Sequence, residues 1–322
     1  MTEPLRIGIL GAADIAPRAL IAPVARRRDV VVHAVAARDL ARAEAFAGRH
    51  GIGRAYGSYR ALLDDPLVDL VYVPLPPSEH AAWSIAALEA GKDVLCEKPF
   101  TLDAAQARAV VDAAASTGRR VVEAFHDRYH PLWQRTVEIV ATLGRVERVE
   151  GEFLGWNPYE PGTIRHEPAF GGGALMDLGC YPLTWARGIV GAEPEVGAVT
   201  VSRNPSGADM EVDAELMFPG GVTGRVRASM ASRELVDERR VIAEGGTLEV
   251  SRPVFAGSGH SLRWRADGVE RVETVAGRET FDHQLESVLE ALRSGEPLPT
   301  EGRFVVDGMI AMDAVRAVGA DA

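Results

Sequence analysis

The chain has 322 residues, 47% hydrophobic and 25% charged, with a net charge of -11; this fits two globular domains and argues against nucleic acid or an anionic membrane as the main partner. Two cysteines, Cys96 and Cys180, cannot build a disulfide scaffold, and the spacing of His, Cys, Asp and Glu predicts no metal site. No basic segment precedes an apolar core at the start and no apolar run approaches ~18 residues, so neither a signal peptide nor a membrane span is expected and the cytoplasm is the expected compartment.

An apolar run over residues 5–10 ends at Gly11 and predicts a strand. Residues 13–27, rich in Ala, Leu and Arg, predict a helix that Pro23 kinks or shortens. Strand and helix patterns then alternate: strand 30–36, helix 40–49, strand 70–73, helix 78–90, strand 93–96, helix 102–117, strand 120–124. This alternation predicts a doubly wound parallel sheet, an α/β Rossmann domain that binds a dinucleotide and occupies residues 1–124.

The pattern changes after Pro131. A helix over 132–142 leads to a half-buried strand over 148–154. Residues 155–173 are irregular and rich in Gly and Pro, and they hold Trp156, Asn157, Tyr159, Arg165, His166 and Phe170. So long a loop is often a functional lid. Residues 176–189 read as a helix, and short strands follow at 196–202, 212–218, 222–231, 241–243 and 247–250. These predict an antiparallel sheet, followed by helices over 281–293 and 303–318. The second domain, of α+β type, is expected over 125–322, with a C-terminal helix able to pack back on the first domain.

Three motifs carry chemistry. Gly11-x-Ala13-x-x-Ala16 follows a strand and opens a helix, as a dinucleotide fingerprint requires. Gly11 permits the tight turn, and small residues at the other two positions let a pyrophosphate reach the helix N-terminus, where N–H groups favour an anion. Two of its three glycines are alanine, so the motif depends on the surrounding β/α alternation. At the end of the second strand an acidic residue would suit NAD, whereas Arg38 suits the 2′-phosphate of NADP. NADP is therefore the expected cofactor and NAD the alternative; Arg38 as a solvated residue beside an Asp39 helix cap stays open.

Lys98 closes the second motif, Glu97-Lys98-Pro99, at a strand's carboxyl end, where doubly wound folds place ligands. Pro99 fixes the chain there and is compatible with a cis peptide. The competing reading is a surface Glu97–Lys98 ion pair worth little. Third, Asp177 and Tyr181 are four residues apart in a helix and so share one face. A tyrosine with a pKa of ~10 needs a nearby cation to serve as a base near neutrality, and Lys98 is the candidate. Tyr181 as a core aromatic with its hydroxyl bonded to the backbone is the alternative.

With these motifs in place, the chain resembles the Gfo/Idh/MocA oxidoreductases from Arg6 to about Val318. The carriers include Ile9-Leu10-Gly11-Ala12-Ala13, Pro74-Leu75-Pro76-Pro77-Ser78-Glu79-His80, Leu95-Cys96-Glu97-Lys98-Pro99, Glu123-Ala124-Phe125, and the run from Gly171 to Tyr181. The similarity is greatest to the branch of dihydrodiol dehydrogenase, glucose–fructose oxidoreductase and sugar ketoreductases. It implies a C-terminal domain with a large open antiparallel sheet that binds substrate and forms a homodimer or higher oligomer. It implies Lys98 and Tyr181 as the catalytic pair with Asp177 beside them. It implies a cofactor site from Gly11, Ala13, Asp14, Ile15, Arg38, Pro74, His80, Glu97 and Lys98. The segment after Phe125 departs from the branch: Asp127 stands where an aromatic residue is common.

The expected activity is hydride transfer between NAD(P) and a hydroxyl or carbonyl carbon of a sugar, ketosugar, cyclic polyol or dihydrodiol. Asp127, Trp156, Asn157 and Arg165, with Tyr159 and Asp177, are the candidates for holding substrate hydroxyls. His166 and His126 are the reserve proton-transfer groups. Two other outcomes remain: a non-catalytic NADP-binding regulator, and a lyase or hydrolase that oxidises transiently with a retained cofactor.

Overall fold

The apolar run at the start of the chain forms strand β1 (Leu5–Leu10), whose Ile7, Ile9 and Leu10 are wholly buried. In the computed structural model, which describes residues 3–320, the chain divides into two units: Met1–Phe125 with Gln284–Val306, and His126–His283 with Asp307–Ala322.

In the first unit, β1 joins β2 (Val30–Ala36), β3 (Arg54–Tyr56), β4 (Leu70–Val73), β5 (Asp93–Cys96) and β6 (Val121–Glu123) in one sheet of order β3-β2-β1-β4-β5-β6. All its pairings are parallel. Parallel strands covered on both faces read as continuous apolar runs, as in the fully buried Leu70–Val73. The strand order turns back between β1 and β4, and the carboxyl ends beside such a reversal are where doubly wound sheets bind ligands.

Helices α1 (Ala22–Ala25), α2 (Leu40–His50), α3 (Tyr59–Leu63), α4 (Pro77–Glu89) and α5 (Ala104–Thr117) connect these strands. Side-chain caps start several of them: Asp39 accepts from the Ala41 N–H and Asp103 from the Gln106 N–H. Two expectations need correction. The first helix does not run from residue 13. Residues 13–16 form a turn, Pro17–Ile21 is wound as a π-helix, and only Ala22–Ala25 is α, because Pro17 and Pro23 each remove a backbone donor. The strand over 70–73 is the fourth, since the three-residue β3 is too short to show a period. Residues 284–306 fold with the first unit. There Glu301 bridges Val122, and the Arg120 guanidinium bonds Glu301 and the carbonyls of Ala291 and Glu296.

The second unit opens with a 3-10 turn (His126–Tyr129) and helix α6 (Pro131–Thr142). Its sheet contains β7 (Val146–Trp156), β8 (Glu195–Arg203), β9 (Asp209–Met217), β10 (Thr223–Ser229), β11 (Ala231–Ala243), β12 (Gly246–Ser251), β13 (Ser261–Ala266) and β14 (Val269–Glu273), in the order β14-β13-β12-β11-β7-β10-β9-β8. All neighbours are antiparallel except β7 and β10. The expected strand over 222–231 ends at Ser229, and Ala231 already opens β11, a 13-residue strand of which only 241–243 was anticipated. Its outer half is mostly polar and exposed, which hides the period from a hydrophobic reading. β13 and β14, short and with few buried apolar residues, give a similarly weak signal.

Alternation along these strands separates two faces. Val149, Phe153, Val212, Ala214, Leu216, Val226, Ala228, Val241 and Leu248 are buried, on the side where helix α7 (Cys180–Val190) packs on β7 and β10. The other face is charged. Arg227 bonds Glu152, Arg225 bonds Asp213 and Arg148 bonds Glu150, at 2.7, 2.5 and 2.7 Å. Glu238, Arg240 and Glu249 line a cavity on that face together with Glu150 and Glu152. Helices α8 (Thr280–Ser294) and α9 (Arg303–Ala320) complete the chain. Among the described residues no helix is long and apolar enough to cross a membrane, and no group of three His, Cys, Asp or Glu could hold a metal.

One pH effect follows from this packing. His130 caps α6 by accepting from the Leu132 N–H, and its ring lies 5.7 Å from that of His260 and 5.1 Å from that of His283. Burial first, then the two neighbouring imidazoles, push its pKa down to about 4. The unfolded chain, at ~6.5, binds a proton more tightly. The stability contributed is therefore present above ~6.5 and is lost as pH falls toward 4. His130→Asn keeps a capping group without the titration. Thermal unfolding at matched ionic strength should show the variant gaining on wild type between pH 7 and 4.5; parallel Tm profiles would refute this.

Candidate active site

Gly11 begins the site in the first unit. Its φ of +104° is one that only glycine adopts without strain, and its N–H donates to the Ala36 carbonyl at 2.8 Å. A Cβ there would lie 2.9 Å from Leu75 Cδ2, so the loop after β1 and the segment following Pro74 approach closely at the sheet's carboxyl edge. The turn tightens through a bond from the Ala16 N–H to the Ala13 carbonyl. Among the described residues, the N–H groups of Ala13, Asp14 and Ile15 have no main-chain acceptor. Asp14 and Ile15 are exposed. Unused donors on a narrow, glycine-built turn form a cradle for a pyrophosphate, so the residues present fit a dinucleotide.

Arg38 follows β2 and is exposed, while Asp39 caps α2. A second arginine, unnoticed in the sequence, stands one turn further on: Arg42 donates from Nη2 to the Ala12 carbonyl at 3.2 Å. Burial raises the Tyr59 phenol, and Arg38 and Arg42 both act on it in the opposite sense. Both cations therefore lie within electrostatic reach of Tyr59, and Arg42 also touches the loop that follows β1. Nothing in the spacing of Arg42 distinguishes it from an ordinary helix surface residue, and only the return of α2 beside Ala12 gives it this position.

Lys98 stands partly buried just after β5, and its peptide bond to Pro99 is cis. Glu97 beside it is buried. Its carboxylate accepts from the Tyr72 hydroxyl at 2.6 Å and from the Lys98 N–H at 3.2 Å, while burial pushes its pKa up. It thus holds the strand end that carries Lys98. His80 is buried between two carbonyls, with Nδ1 3.0 Å from the Pro99 oxygen and Nε2 2.7 Å from that of Leu75. Burial lowers its pKa, so the neutral ring donates to one of these carbonyls while packing between the loops after β4 and β5.

In the second unit, the run Gly171-Gly172-Gly173 is explained by crowding. Gly173 has φ +129°, and a side chain there would strike the Asp209 carboxylate. That carboxylate is buried and accepts from the Leu175 N–H at 2.6 Å, which anchors the start of the next turn. The turn, Leu175–Gly179, is wound as a π-helix and runs directly into α7. Asp177 lies in it and Tyr181 in the first turn of α7, and the two have different partners. Asp177 accepts from Arg165 Nε at 2.9 Å in a half-exposed pair. Tyr181 is 6% exposed, and its hydroxyl lies 3.3 Å from His126 Nε2.

The other candidates are spread along the second unit. Trp156, at the end of β7, is 53% exposed, with the Arg233 guanidinium 4.7 Å above its ring. The Asn157 N–H donates to the Met230 carbonyl, and the Tyr159 hydroxyl bonds Ser206. His166 is buried and, among the described residues, has no hydrogen-bond partner for either ring nitrogen; its ring is edge-on to Tyr159. Asp127 sits in the 3-10 turn. Burial pushes its pKa up to about 6, against the pull of Arg128 and Arg239. Arg128 stacks on Trp133 at 3.5 Å, and Arg239 pairs with Asp237 at 3.1 Å with both side chains buried. Asp127 therefore belongs to a buried charge cluster that its sequence position does not reveal.

A six-stranded doubly wound sheet with a glycine-built turn at its carboxyl edge is the architecture of a dinucleotide-binding domain, here joined in one chain to a second unit built on a large, mostly antiparallel sheet. The sequence matches the model of an oxidoreductase family with an NAD-binding Rossmann fold over residues 5–125 and that of the GFO/IDH/MocA C-terminal domain over 133–249. The chain belongs to the Gfo/Idh/MocA oxidoreductase family, whose named relatives are dehydrogenases and reductases. It is 38% identical to an uncharacterized oxidoreductase of Rhizobium meliloti and 36% identical to D-xylose 1-dehydrogenase (NADP(+)) 2 of Haloferax volcanii, in both cases over 97% of this chain and 96% of the relative. Among solved structures, KijD10, a 3-ketoreductase from Actinomadura kijaniata in complex with NADP and TDP-benzene, superposes with a TM-score of 0.91 at 29% identity, over 98% of each chain.

Proposed function

We propose that this protein is an NADP(H)-preferring enzyme that moves a hydride between the nicotinamide and a hydroxyl or carbonyl carbon of a sugar, ketosugar or related cyclic diol, with Tyr181 as acid–base and Lys98 as the assisting cation. The observation that carries the reading is Tyr181, a buried phenol whose hydroxyl has a ring nitrogen as partner in a chain of this family. Activities named for relatives, on D-xylose, on a dTDP-sugar ketone and on a trans-dihydrodiol, support the substrate class.

When bound, the dinucleotide supplies the acceptor or donor of the hydride. The Ala13, Asp14 and Ile15 N–H groups hold its pyrophosphate, and Arg38 with Arg42 favours the extra phosphate of NADP. In oxidation, Tyr181 takes the substrate's hydroxyl proton as the hydride leaves the same carbon; in reduction it gives that proton back. Lys98 favours the phenolate. Arg165, held by Asp177, together with Trp156 and Asn157, offers the polar groups and flat apolar surface that sugars need. Turnover of NADPH and NADP measured against aldoses, ketosugars, polyols and dihydrodiols tests the reading; no turnover with any of them would reject it.

We also propose that the protein works as a homodimer or higher oligomer through the charged face of the eight-stranded sheet. Interspersed arginines and glutamates make a face complementary to itself about a two-fold axis. Sedimentation at micromolar concentration and low salt should give at least twice the 34.5 kDa chain mass, with dissociation on adding salt; a single monomeric species would reject this.

A further inference from the structure

We propose that His126 is a positioning residue for Tyr181, donating from Nε2 to the phenol oxygen so that the phenol's own proton is left for the substrate. The inference rests on Tyr181 as the acid–base group and concerns what holds it. His126 is 5% exposed, with Nε2 3.3 Å from the Tyr181 hydroxyl and Nδ1 2.8 Å from Thr280 Oγ1. The three side chains come from separate elements of the second unit: the 3-10 turn, the start of α7 and the start of α8. The Phe281 ring lies 4.0 Å from the imidazole, and the Phe153 ring 5.6 Å from the phenol. These apolar rings keep the chain of hydrogen bonds in register.

The tautomer follows from Thr280. This residue is 2% exposed, and among the described residues His126 Nδ1 is the one partner of its hydroxyl. A buried hydroxyl donates where it has an acceptor. The Thr280 proton therefore goes to Nδ1, which places the imidazole proton on Nε2, facing the phenol oxygen. Tyr181 then receives a hydrogen bond from His126 and does not spend its own proton on that contact.

At 3.3 Å the bond is long for an N–H donor and weak while the phenol is neutral. When Tyr181 gives its proton to a substrate oxygen, the Tyr181 O–H bond breaks, the substrate O–H bond forms, and negative charge appears on the phenol oxygen. His126 keeps its Nε2 proton throughout. The bond to it becomes charge-assisted and strengthens, so it favours the transition state over the resting enzyme.

The test is a set of kinetic constants for a substrate that the enzyme turns over. His126→Phe should lower kcat by about tenfold, the scale of one hydrogen bond to a charged group, with KM and the NADP dissociation constant changed less than twofold. His126→Gln places an amide donor near the position of Nε2 and should recover most of that loss. In a Tyr181→Phe background, His126→Phe should have no further effect. Wild-type kcat in His126→Phe, or equal losses in the two backgrounds, overturns the inference while leaving the role of Tyr181 standing. Wild-type turnover by Tyr181→Phe overturns both. If His126→Phe does not fold, Thr280→Val supplies the same readout, since it removes the donor that sets the tautomer: a several-fold loss in kcat is expected, and an unchanged kcat overturns the inference.

Discussion

Tyr181→Phe should lower kcat by ~10²–10⁴ and leave cofactor binding intact, because it removes the proton-transfer group and keeps the ring. The ring is fixed from both sides, by Phe153 at 5.6 Å and His126 at 5.9 Å, so the variant should fold without rearrangement. Lys98→Met should also cut kcat, since the phenolate loses its assisting cation. The double variant should be little worse than Tyr181→Phe alone, because residues that act as a unit are far from additive. Asp177→Asn should be milder, since its carboxylate orients Arg165. Steady-state kinetics with fluorescence titration of NADPH separate these effects. A Tyr181→Phe variant that works at the wild-type rate would reject the mechanism and move attention to His126 and to His166, whose ring nitrogens have no hydrogen-bond partner among the described residues.

Arg38→Glu should raise the KM for NADP by ~10² and leave that for NAD unchanged or lower. One charge-assisted bond to the 2′-phosphate is worth roughly 1.5–3 kcal/mol, and the new carboxylate adds repulsion. The same carboxylate can accept from the 2′-hydroxyl of NAD. Arg42→Ala should act in the same direction and more weakly, because Arg42 is tied to the Ala12 carbonyl. Equal affinities of the wild type for NADP and NAD would count against both assignments.

How much of this was legible in the chain depended on whether neighbours in sequence are neighbours in space. Most of the first unit was readable because its strands other than β3 are largely apolar runs and helices such as α2 and α5 carry their own start signals, Asp39 and Asp103. The glycine turn after β1 was readable because its few residues share one local geometry. The second sheet was legible where one face carries a long apolar row, as in β9 and β10, and not in β13, β14 or the outer half of β11, whose few apolar residues stand among charged ones in strands that are short or mostly exposed.

Composition, period and local motif thus sufficed for the fold class, the anion cradle, the position of Lys98 at a strand end and that of Tyr181 in a helix. They reach only a few residues along the chain. The partners of those groups come from much further away. His126 stands 55 residues before Tyr181, and Thr280 lies 154 residues after His126. Arg42 meets Ala12 across 30 residues, and Asp209 reaches back 34 to hold the turn that carries Asp177. Such contacts form where the packing of whole elements brings polar groups that are distant along the chain within hydrogen-bond reach, and only the folded chain decides which groups meet.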